Sequence, residues 1–306
     1  MRIVFFGTPT FSAYILQKLI EAGHDIKAVI SKPDKPKGRH LHLEMTPIKK
    51  YVSEYHPEIP IFQPLKVSDP AFASTLESFD ADLFVVVAYG EILKQHVLDM
   101  PKKGCINVHT SLLPKFRGAA PIQRAIIEGE KVTGVSIMHL VKKMDAGDVI
   151  LQKPIEIDPE ITFGELELKI MDLGSDALLE VLKEGTFRGT VQDENLVTFA
   201  PKVELEECEI SFHETGTQIH DLIRGVNPEP GAWMHITVKG EQKRLRVFQA
   251  KVSDLNGNAG DLLEYGKRWI YACREGSIEF LDVQLEGKKR MKAGDLMRGL
   301  PKEHLC

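Results

Sequence analysis

The 306-residue chain has only four cysteines, and none forms a C-x-x-C pair or stands at zinc-finger spacing from histidine. This scarcity argues against a disulfide scaffold and a zinc ribbon, so we expect four free thiols and no metal site. The sequence also lacks an apolar run of roughly 20 residues, the length of a membrane span. Its N-terminus lacks the charged start and small-residue cleavage site of a signal peptide. We therefore expect a cytoplasmic protein with no membrane association.

An excess of positive charge, the usual sign of a dedicated nucleic-acid-binding protein, is also missing. The formal net charge is −5 at pH 7. Lysine and arginine are instead concentrated in three short stretches, at 32–50, 239–251 and 288–292. A run of charge is usually a solvated face, so these stretches favour local basic surfaces on an otherwise acidic protein.

The two halves of the chain differ in hydrophobic pattern, and no internal repeat is visible. In the first half, buried-strand patterns at 2–6, 26–30, 82–88 and 104–109 alternate with helical ones such as 163–184. This alternation predicts an α/β fold with a doubly wound, Rossmann-like, mostly parallel sheet.

In the second half, turns separate short strand candidates, which favours a small OB-like β-barrel. These candidates lie at 232–238, 244–252, 268–273 and 277–285. We therefore predict a catalytic domain over 1–189, a linker over 190–208 and a barrel domain over 209–306.

The first strand is followed by Gly7-Thr8-Pro9 rather than G-x-G-x-x-G, which argues against a dinucleotide site. Polar residues at another strand are more informative. Asn107 and His109 lie two apart, so their side chains share one face at the carboxyl end of a predicted strand. Open α/β sheets place their ligand sites at that edge. A hydrogen-bonded buried pair with a structural role is the alternative interpretation.

A third polar group comes from Asp145-Ala146-Gly147-Asp148, a turn signature between two strand candidates. By itself this segment predicts only a turn. If folding brings Asp145 beside His109, then an amide, an imidazole and a carboxylate meet in a combination that suits acyl transfer.

The segment from Asn107 to Pro114, together with Asp145, resembles the signature of the folate-dependent formyltransferases. The resemblance covers nearly the whole chain, and the loop 31–49 and the second half resemble the tRNA-directed branch. Supporting segments are 7–11, 32–39, 85–90, 223–228 and Trp233. The resemblance implies 10-formyltetrahydrofolate as cosubstrate, the acceptor arm of methionyl initiator tRNA as partner, and N-formylmethionyl-tRNA for translation initiation as product.

The same resemblance implies which residues meet the folate. The backbone around one loop is expected to contact the pterin, and a second loop is expected to line the site with a cis Leu113–Pro114 peptide. The residues concerned are Ala88, Tyr89, Gly90, Ile92, Leu93, Ser111, Leu112, Leu113 and Pro114.

The chemistry of the three polar residues can be argued without the family. A neutral amine attacks the formyl carbon, and the tetrahedral intermediate carries a negative oxygen and a positive nitrogen. Asn107 can donate to that oxygen. His109 can donate a second hydrogen bond or transfer a proton, and Asp145 can orient the imidazole and accept the amine proton. We therefore predict direct transfer without a covalent enzyme intermediate.

The loop 31–49 is long for a connection between strand and helix, which favours a functional role. Its cations suit phosphate, and Arg39 has the fork geometry for bidentate contact. By resemblance the loop enters the acceptor-stem groove, although His40–Leu43 replaces residues that are more basic in the family. Candidate tRNA contacts are Arg39, Lys37, Lys202, Lys243, Arg244 and Arg246.

Three alternatives stay open. A sugar-nucleotide N-formyltransferase or a 10-formyltetrahydrofolate hydrolase would share the three polar residues but would not need a cationic loop. A non-enzymatic folate- or RNA-binding module would need the loop and the barrel but not the polar triad.

We also expect a monomer, since no large exposed apolar helix face is evident.

Overall fold

The computed structural model describes residues 1–37, 42–300 and 302, without the side chains of Lys37 and His42. The chain forms two compact units, and each combines separate stretches of sequence. The first unit consists of Met1–Gly118, Gly134–Ile155 and Leu168–Phe199, and the second of Ala119–Thr133, Glu156–Glu167 and the chain from Ala200 onwards. The domain limits predicted above follow chain order and stay a prediction, because compactness does not show which stretch folds by itself.

The described residues contain helices and strands in an order close to that expected. The helices are α1 (Thr10–Glu21), α2 (Pro47–Tyr55), α3 (Pro70–Ser78), α4 (Gln95–Leu98), α5 (Pro121–Ile127), α6 (Phe163–Glu184), α7 (Gly216–Gly225) and α8 (Ala293–Arg298). The strands are β1 (Arg2–Gly7), β2 (Asp25–Ile30), β3 (Lys35–Lys37), β4 (His42–Glu44), β5 (Ile61–Phe62), β6 (Leu83–Val87), β7 (Cys105–His109), β8 (Arg117–Gly118), β9 (Val132–His139), β10 (Val149–Glu156), β11 (Phe199–Ala200), β12 (Ala232–Val238), β13 (Glu241–Ser253), β14 (Leu262–Glu264), β15 (Ile270–Ala272), β16 (Ser277–Leu285) and β17 (Met291–Lys292). None of the described helices is long and apolar enough to cross a bilayer.

The sheet of the first unit has seven strands in the order β10-β9-β7-β6-β1-β2-β5. Strands β5, β2, β1, β6 and β7 run parallel, and β9 runs antiparallel to β7. Every residue of β6 is buried, as expected of a β-branched strand that is covered on both faces. The predicted mostly parallel α/β fold is confirmed, and the parallel strands β1, β6 and β7 end at one shared edge.

Local signals explain where the first helices begin and which face they bury. In α1 the apolar residues Phe11, Ile15 and Leu19 recur at helical spacing and are buried. The Thr46 side chain accepts a hydrogen bond from the Lys49 N–H at 3.4 Å, and Pro47 stands at the first helical position of α2. A side-chain cap followed by proline therefore marks the start of α2.

The second unit contains an antiparallel half-barrel with the strand order β12-β13-β16-β15-β14, and β17 pairs with β16. Its core includes the fully buried Trp269, which packs against Phe280 with ring centroids 6.1 Å apart. The helix α7 starts with a complete capping box between Thr215 and Gln218. The small β-rich second half is thus confirmed, with β13 beginning three residues earlier than the predicted strand.

Candidate active site

Two polar residues close the strand β7 at the carboxyl edge of the first unit's sheet. Asn107 lies opposite Val86 of β6 and Met138 of β9, and His109 lies opposite Ser136 of β9. Asn107 is half-buried, whereas His109 is only 6% exposed. Because the two residues are two apart on one strand, their side chains project from the same face, as the sequence predicts.

The carboxylate of Asp145 reaches this strand end from the turn between β9 and β10. Its Oδ2 atom lies 3.8 Å from Nδ1 of His109 and accepts the backbone N–H of Gly118 at 2.8 Å. Asp145 has a φ of 49°, a left-handed conformation that is uncommon for a residue other than glycine. The structure therefore brings together the imidazole and the carboxylate that the sequence could only suggest as neighbours.

The imidazole of His109 is held on its other side by a backbone carbonyl. Its Nε2 lies 2.9 Å from the carbonyl oxygen of Phe116. A carbonyl oxygen only accepts, so Nε2 carries the hydrogen and donates it. Nδ1 then faces Asp145 Oδ2 at 3.8 Å, a separation longer than a hydrogen bond. Both atoms are acceptors when the ring is neutral, so an attraction between them requires a proton on Nδ1 or a water molecule that donates to both.

The loop that follows β7 contains the second group of predicted folate residues. Its turn is held by two polar side chains that sequence reasoning missed, Ser136 of β9 and Gln152 of β10. Ser136 Oγ donates to the Ser111 carbonyl at 2.7 Å and accepts from the Leu113 N–H at 3.0 Å. Gln152 Nε2 donates to the Leu113 carbonyl at 2.8 Å. The Leu113–Pro114 peptide is cis, as the resemblance implies.

The loop that follows β6 contains the first group of predicted folate residues. The side chains of Tyr89 and Leu93 are buried in the core, whereas Ile92 is exposed. Ala88 and Gly90 both have positive φ, at 45° and 85°, so the backbone here turns sharply at the sheet edge. This arrangement leaves the loop backbone, rather than the Tyr89 and Leu93 side chains, to meet a ligand.

An ion pair ties this loop to its neighbours. Glu91 Oε2 lies 2.6 Å from Lys32 Nζ at the end of β2, and Glu91 Oε1 accepts the Val67 N–H at 3.0 Å. Thr8, which follows β1, donates its hydroxyl hydrogen to the Tyr89 carbonyl at 2.9 Å. The loops after β1, β2 and β6 are therefore joined at the carboxyl edge of the sheet.

The predicted tRNA contact Arg39 lies outside the described residues, and so does the side chain of Lys37. Asp34, at the start of the same segment, lies within the described residues. It accepts hydrogen bonds from Lys49 Nζ at 2.6 Å and from Gln63 Nε2 at 2.7 Å. Burial alone would raise the pKa of Asp34, but these hydrogen bonds hold it below its ordinary value.

The other predicted tRNA contacts lie on the second unit and are at least partly accessible. The Arg244 guanidinium stacks over the Trp233 ring at 4.4 Å, and Arg246 stacks over Phe248 at 5.0 Å. Both arginines line a cleft of about 540 Å³ that is formed by β12, β13 and the end of β16.

Two lysines complete the predicted contacts, and each is paired with a carboxylate. Lys243 lies 3.2 Å from Glu241, and the exposed Lys202 lies 3.1 Å from Glu204. Ion pairs with exposed partners of this kind are weak, so both ammonium groups can exchange a carboxylate for a phosphate.

Among residues 1–37, 42–300 and 302, no cluster of three His, Cys, Asp or Glu side chains could hold a metal ion. Three cysteines are free and buried, and Cys306 lies outside the described residues. Burial raises the pKa of Cys105 to about 12 and that of Cys208 and Cys273 to about 11. These three thiols are therefore unsuited to nucleophilic catalysis.

Known proteins match this chain along its length. The family described as "Formyl transferase" matches residues 1–182, and "Formyl transferase, C-terminal domain" matches residues 202–301. Methionyl-tRNA formyltransferase of Protochlamydia amoebophila is 51% identical over 310 residues, which cover 100% of this chain and 97% of that one. The enzyme of the same name from Agathobacter rectalis is 40% identical over 305 residues, covering 98% and 96%.

Among solved structures, the fold is similar to that of WlaRD, a sugar 3N-formyl transferase crystallised in the presence of dTDP and 5-N-formyl-THF. The TM-score is 0.68 at 17% identity, with 94% of this chain and 99% of that chain covered, which shows the fold alone. The two full-length matches at 40–51% identity carry the assignment further. The chain belongs to the methionyl-tRNA formyltransferases within the formyl transferase family.

Proposed function

We propose that this protein transfers the formyl group of 10-formyltetrahydrofolate to the free amino group of methionyl initiator tRNA. The product is N-formylmethionyl-tRNA for translation initiation. The observation that carries the proposal is the 3.8 Å approach of Asp145 to His109, beside Asn107, at the carboxyl edge of the sheet. Family membership supports the choice of a folate donor and a tRNA acceptor.

The three side chains divide the chemistry of direct transfer. The amine nitrogen forms a bond to the formyl carbon, and the carbonyl electrons move onto oxygen. The Asn107 amide stabilises that oxyanion by hydrogen bonding. His109 adds a second hydrogen bond when Nδ1, which the Phe116 carbonyl does not engage, is protonated. Asp145 accepts a proton from the amine, directly or through water. The oxyanion electrons then re-form the carbonyl as the bond from carbon to the folate N10 breaks. The proton taken from the amine passes from Asp145, directly or through water, to N10.

The folate site extends over the two loops at the sheet edge. The backbone of Ala88–Leu93 meets the pterin, and the turn Ser111–Pro114 lines the remainder of the site. Hydrogen bonds hold both loops, and an ion pair also holds the first. This supports the role, because a loop that is already ordered loses little entropy when a ligand binds. The reaction needs no metal ion, since proton transfer and oxyanion stabilisation are both provided by side chains.

The tRNA contacts are proposed for two basic regions. Arg39 and Lys37 belong to residues 31–46, the connection between β2 and α2. Lys202, Lys243, Arg244 and Arg246 belong to the second unit, whose half-barrel we assign to the acceptor arm. Cations that stack on aromatic rings while remaining accessible are suited to phosphate and to unpaired bases. We further propose a monomeric enzyme that works in the cytoplasm.

The direct test offers two acceptors to the purified protein. With 10-formyltetrahydrofolate present, we expect formylation of charged initiator methionyl-tRNA and none of an amino-sugar nucleotide. Formylation of the sugar alone would establish a sugar-nucleotide enzyme, and release of formate with neither acceptor modified would establish a hydrolase. An Arg39→Ala variant should lose tRNA turnover and still bind folate. Unchanged tRNA kinetics in this variant would show that Arg39 does not contribute to tRNA binding.

A further inference from the structure

A segment after α6 runs along both sides of the catalytic carboxylate. We call residues 190–198 the strap. It begins at Thr190, whose backbone N–H and carbonyl pair with Val149 at 2.8 and 2.9 Å. It ends at Thr198, whose hydroxyl accepts the Phe116 N–H at 2.9 Å and whose carbonyl accepts the Arg117 N–H at 2.9 Å. The strap therefore spans the distance between the Asp145 turn and the segment that contacts His109.

The centre of the strap is Gln192, a side chain that is only 7% exposed. Its Nε2 donates one hydrogen to the Asp145 carbonyl at 2.9 Å and the other to the Gly147 carbonyl at 2.7 Å. The two bonds flank the left-handed turn that Asp145 occupies. One amide group thus holds the backbone from which the carboxylate projects.

The orientation of this amide is determined by Arg117, which is 1% exposed. Its Nε and Nη2 both donate to Gln192 Oε1, at 3.1 and 2.8 Å. Arginine only donates, so the amide oxygen must face the guanidinium, and the NH2 group must face the two carbonyls. A flipped amide would place donors against donors and acceptors against acceptors.

A second strap residue attaches the other end of the turn. Glu194 accepts from Arg117 Nη2 at 2.9 Å and from Lys143 Nζ at 2.6 Å. Hydrogen bonds from Arg117 and Lys143 lower the pKa of Glu194 to about 2. Lys143 lies two residues before Asp145, so the strap holds the turn on both sides of the carboxylate.

We propose that Gln192, oriented by Arg117, is a positioning residue for formyl transfer and keeps the Asp145 carboxylate beside His109. The inference rests on the proposed function. Gln192 touches no reacting atom, and it acts by limiting the positions that Asp145 can occupy. A displacement of a catalytic group by about 1 Å can cost on the order of 100-fold in rate. An effect of that kind falls on kcat rather than on substrate binding.

The test compares Gln192→Ala and Gln192→Glu with the unsubstituted enzyme and with Asp145→Asn. Gln192→Glu keeps the size of the side chain and the oxygen that accepts from Arg117. It replaces the NH2 group with a second oxygen, which cannot donate to the carbonyls of Asp145 and Gly147. We expect both Gln192 variants to lower kcat by about 10- to 100-fold, to leave KM for folate and tRNA within about threefold, and to shift the pH profile of kcat. In an Asp145→Asn background, adding Gln192→Ala should cause no further loss, because the positioned group is already absent.

Two other glutamines provide matched controls. Gln17→Ala, on α1, should leave all kinetic constants unchanged. Gln152→Ala removes the side chain that holds the Leu113 carbonyl, and it should raise KM for folate more than it lowers kcat. Equal kcat in Gln192→Ala and the unsubstituted enzyme, or a loss that multiplies fully with Asp145→Asn, would overturn the inference. An unsubstituted enzyme that formylates no tRNA would instead overturn the proposed function.

Discussion

The carboxyl edge of the first unit's sheet and the β12–β13 face of the half-barrel both contain predicted functional residues, but they hold them in opposite ways. At the sheet edge, His109 and Asp145 are buried or nearly so, and each is held by backbone hydrogen bonds. On the half-barrel, Arg244 and Arg246 remain partly accessible and rest on aromatic rings. Bond formation requires fixed atoms, whereas phosphate contact tolerates side-chain motion, so the two regions should respond differently to substitution.

The largest difference is expected at Asp145. Asp145→Asn keeps an acceptor for the Gly118 N–H but removes the charge beside His109. We expect kcat to fall by about 10²–10⁴-fold, the range for loss of acid–base catalysis, with both KM values changed by less than about threefold. Steady-state formylation assays measure this split. Asp176→Asn, on the exposed side of α6, is the control. An equal fall in kcat in both variants would show that Asp145 has no specific role in the reaction.

A smaller effect of the opposite kind is expected at Arg244. Arg244→Ala removes a cation that stacks on Trp233, so KM for tRNA should rise about tenfold with kcat nearly unchanged. The plot of log KM against log salt should also become less steep by about one unit. Lys251→Ala, on the same strand β13, is the control. A fall in kcat without any change in salt dependence would contradict a phosphate-binding role.

Sequence reasoning succeeded where a residue's role follows from its own strand. The buried strands and the shared face of Asn107 and His109 depend on local periodicity, so both could be predicted. Gln192 could not, because its partners are carbonyls that only the folded chain brings near. Its stretch has little periodicity and was predicted to be a linker. For the folate loop one signal was available, since Ser136 lies between the apolar residues Val135 and Ile137 and indicates a structural hydrogen bond.

Within the sheet-edge region, residues that hold the folate loop should affect binding before chemistry. Glu91→Gln removes the charge that pairs with Lys32, and the loop 88–93 should loosen. We expect KM for 10-formyltetrahydrofolate to rise about three- to tenfold while kcat changes less. Glu77→Gln, on the exposed face of α3, is the matched control. An unchanged KM in Glu91→Gln would show that the ion pair does not support the folate site.

The smallest effect is expected on the thermal stability of a strap variant, Glu194→Gln, as a function of pH. Glu194 has a folded pKa of about 2 because Arg117 and Lys143 donate to it, so its contribution to stability is fully present above its unfolded pKa of about 4.3. That contribution is lost as pH falls from there through the folded pKa. The difference in Tm between the unsubstituted protein and Glu194→Gln should therefore be small at pH 6 and should vanish towards pH 2. A difference that grows on acidification would contradict the assignment.

In the proposed reaction, Asn107 stabilises the oxyanion of formyl transfer from the end of β7. The most direct measurement is the single-turnover rate of formylation by Asn107→Ala at saturating folate and tRNA, with folate affinity measured in parallel. We predict a rate about 10²–10³-fold lower, with folate affinity and thermal stability retained. A single-turnover rate close to that of the unsubstituted enzyme would contradict the account.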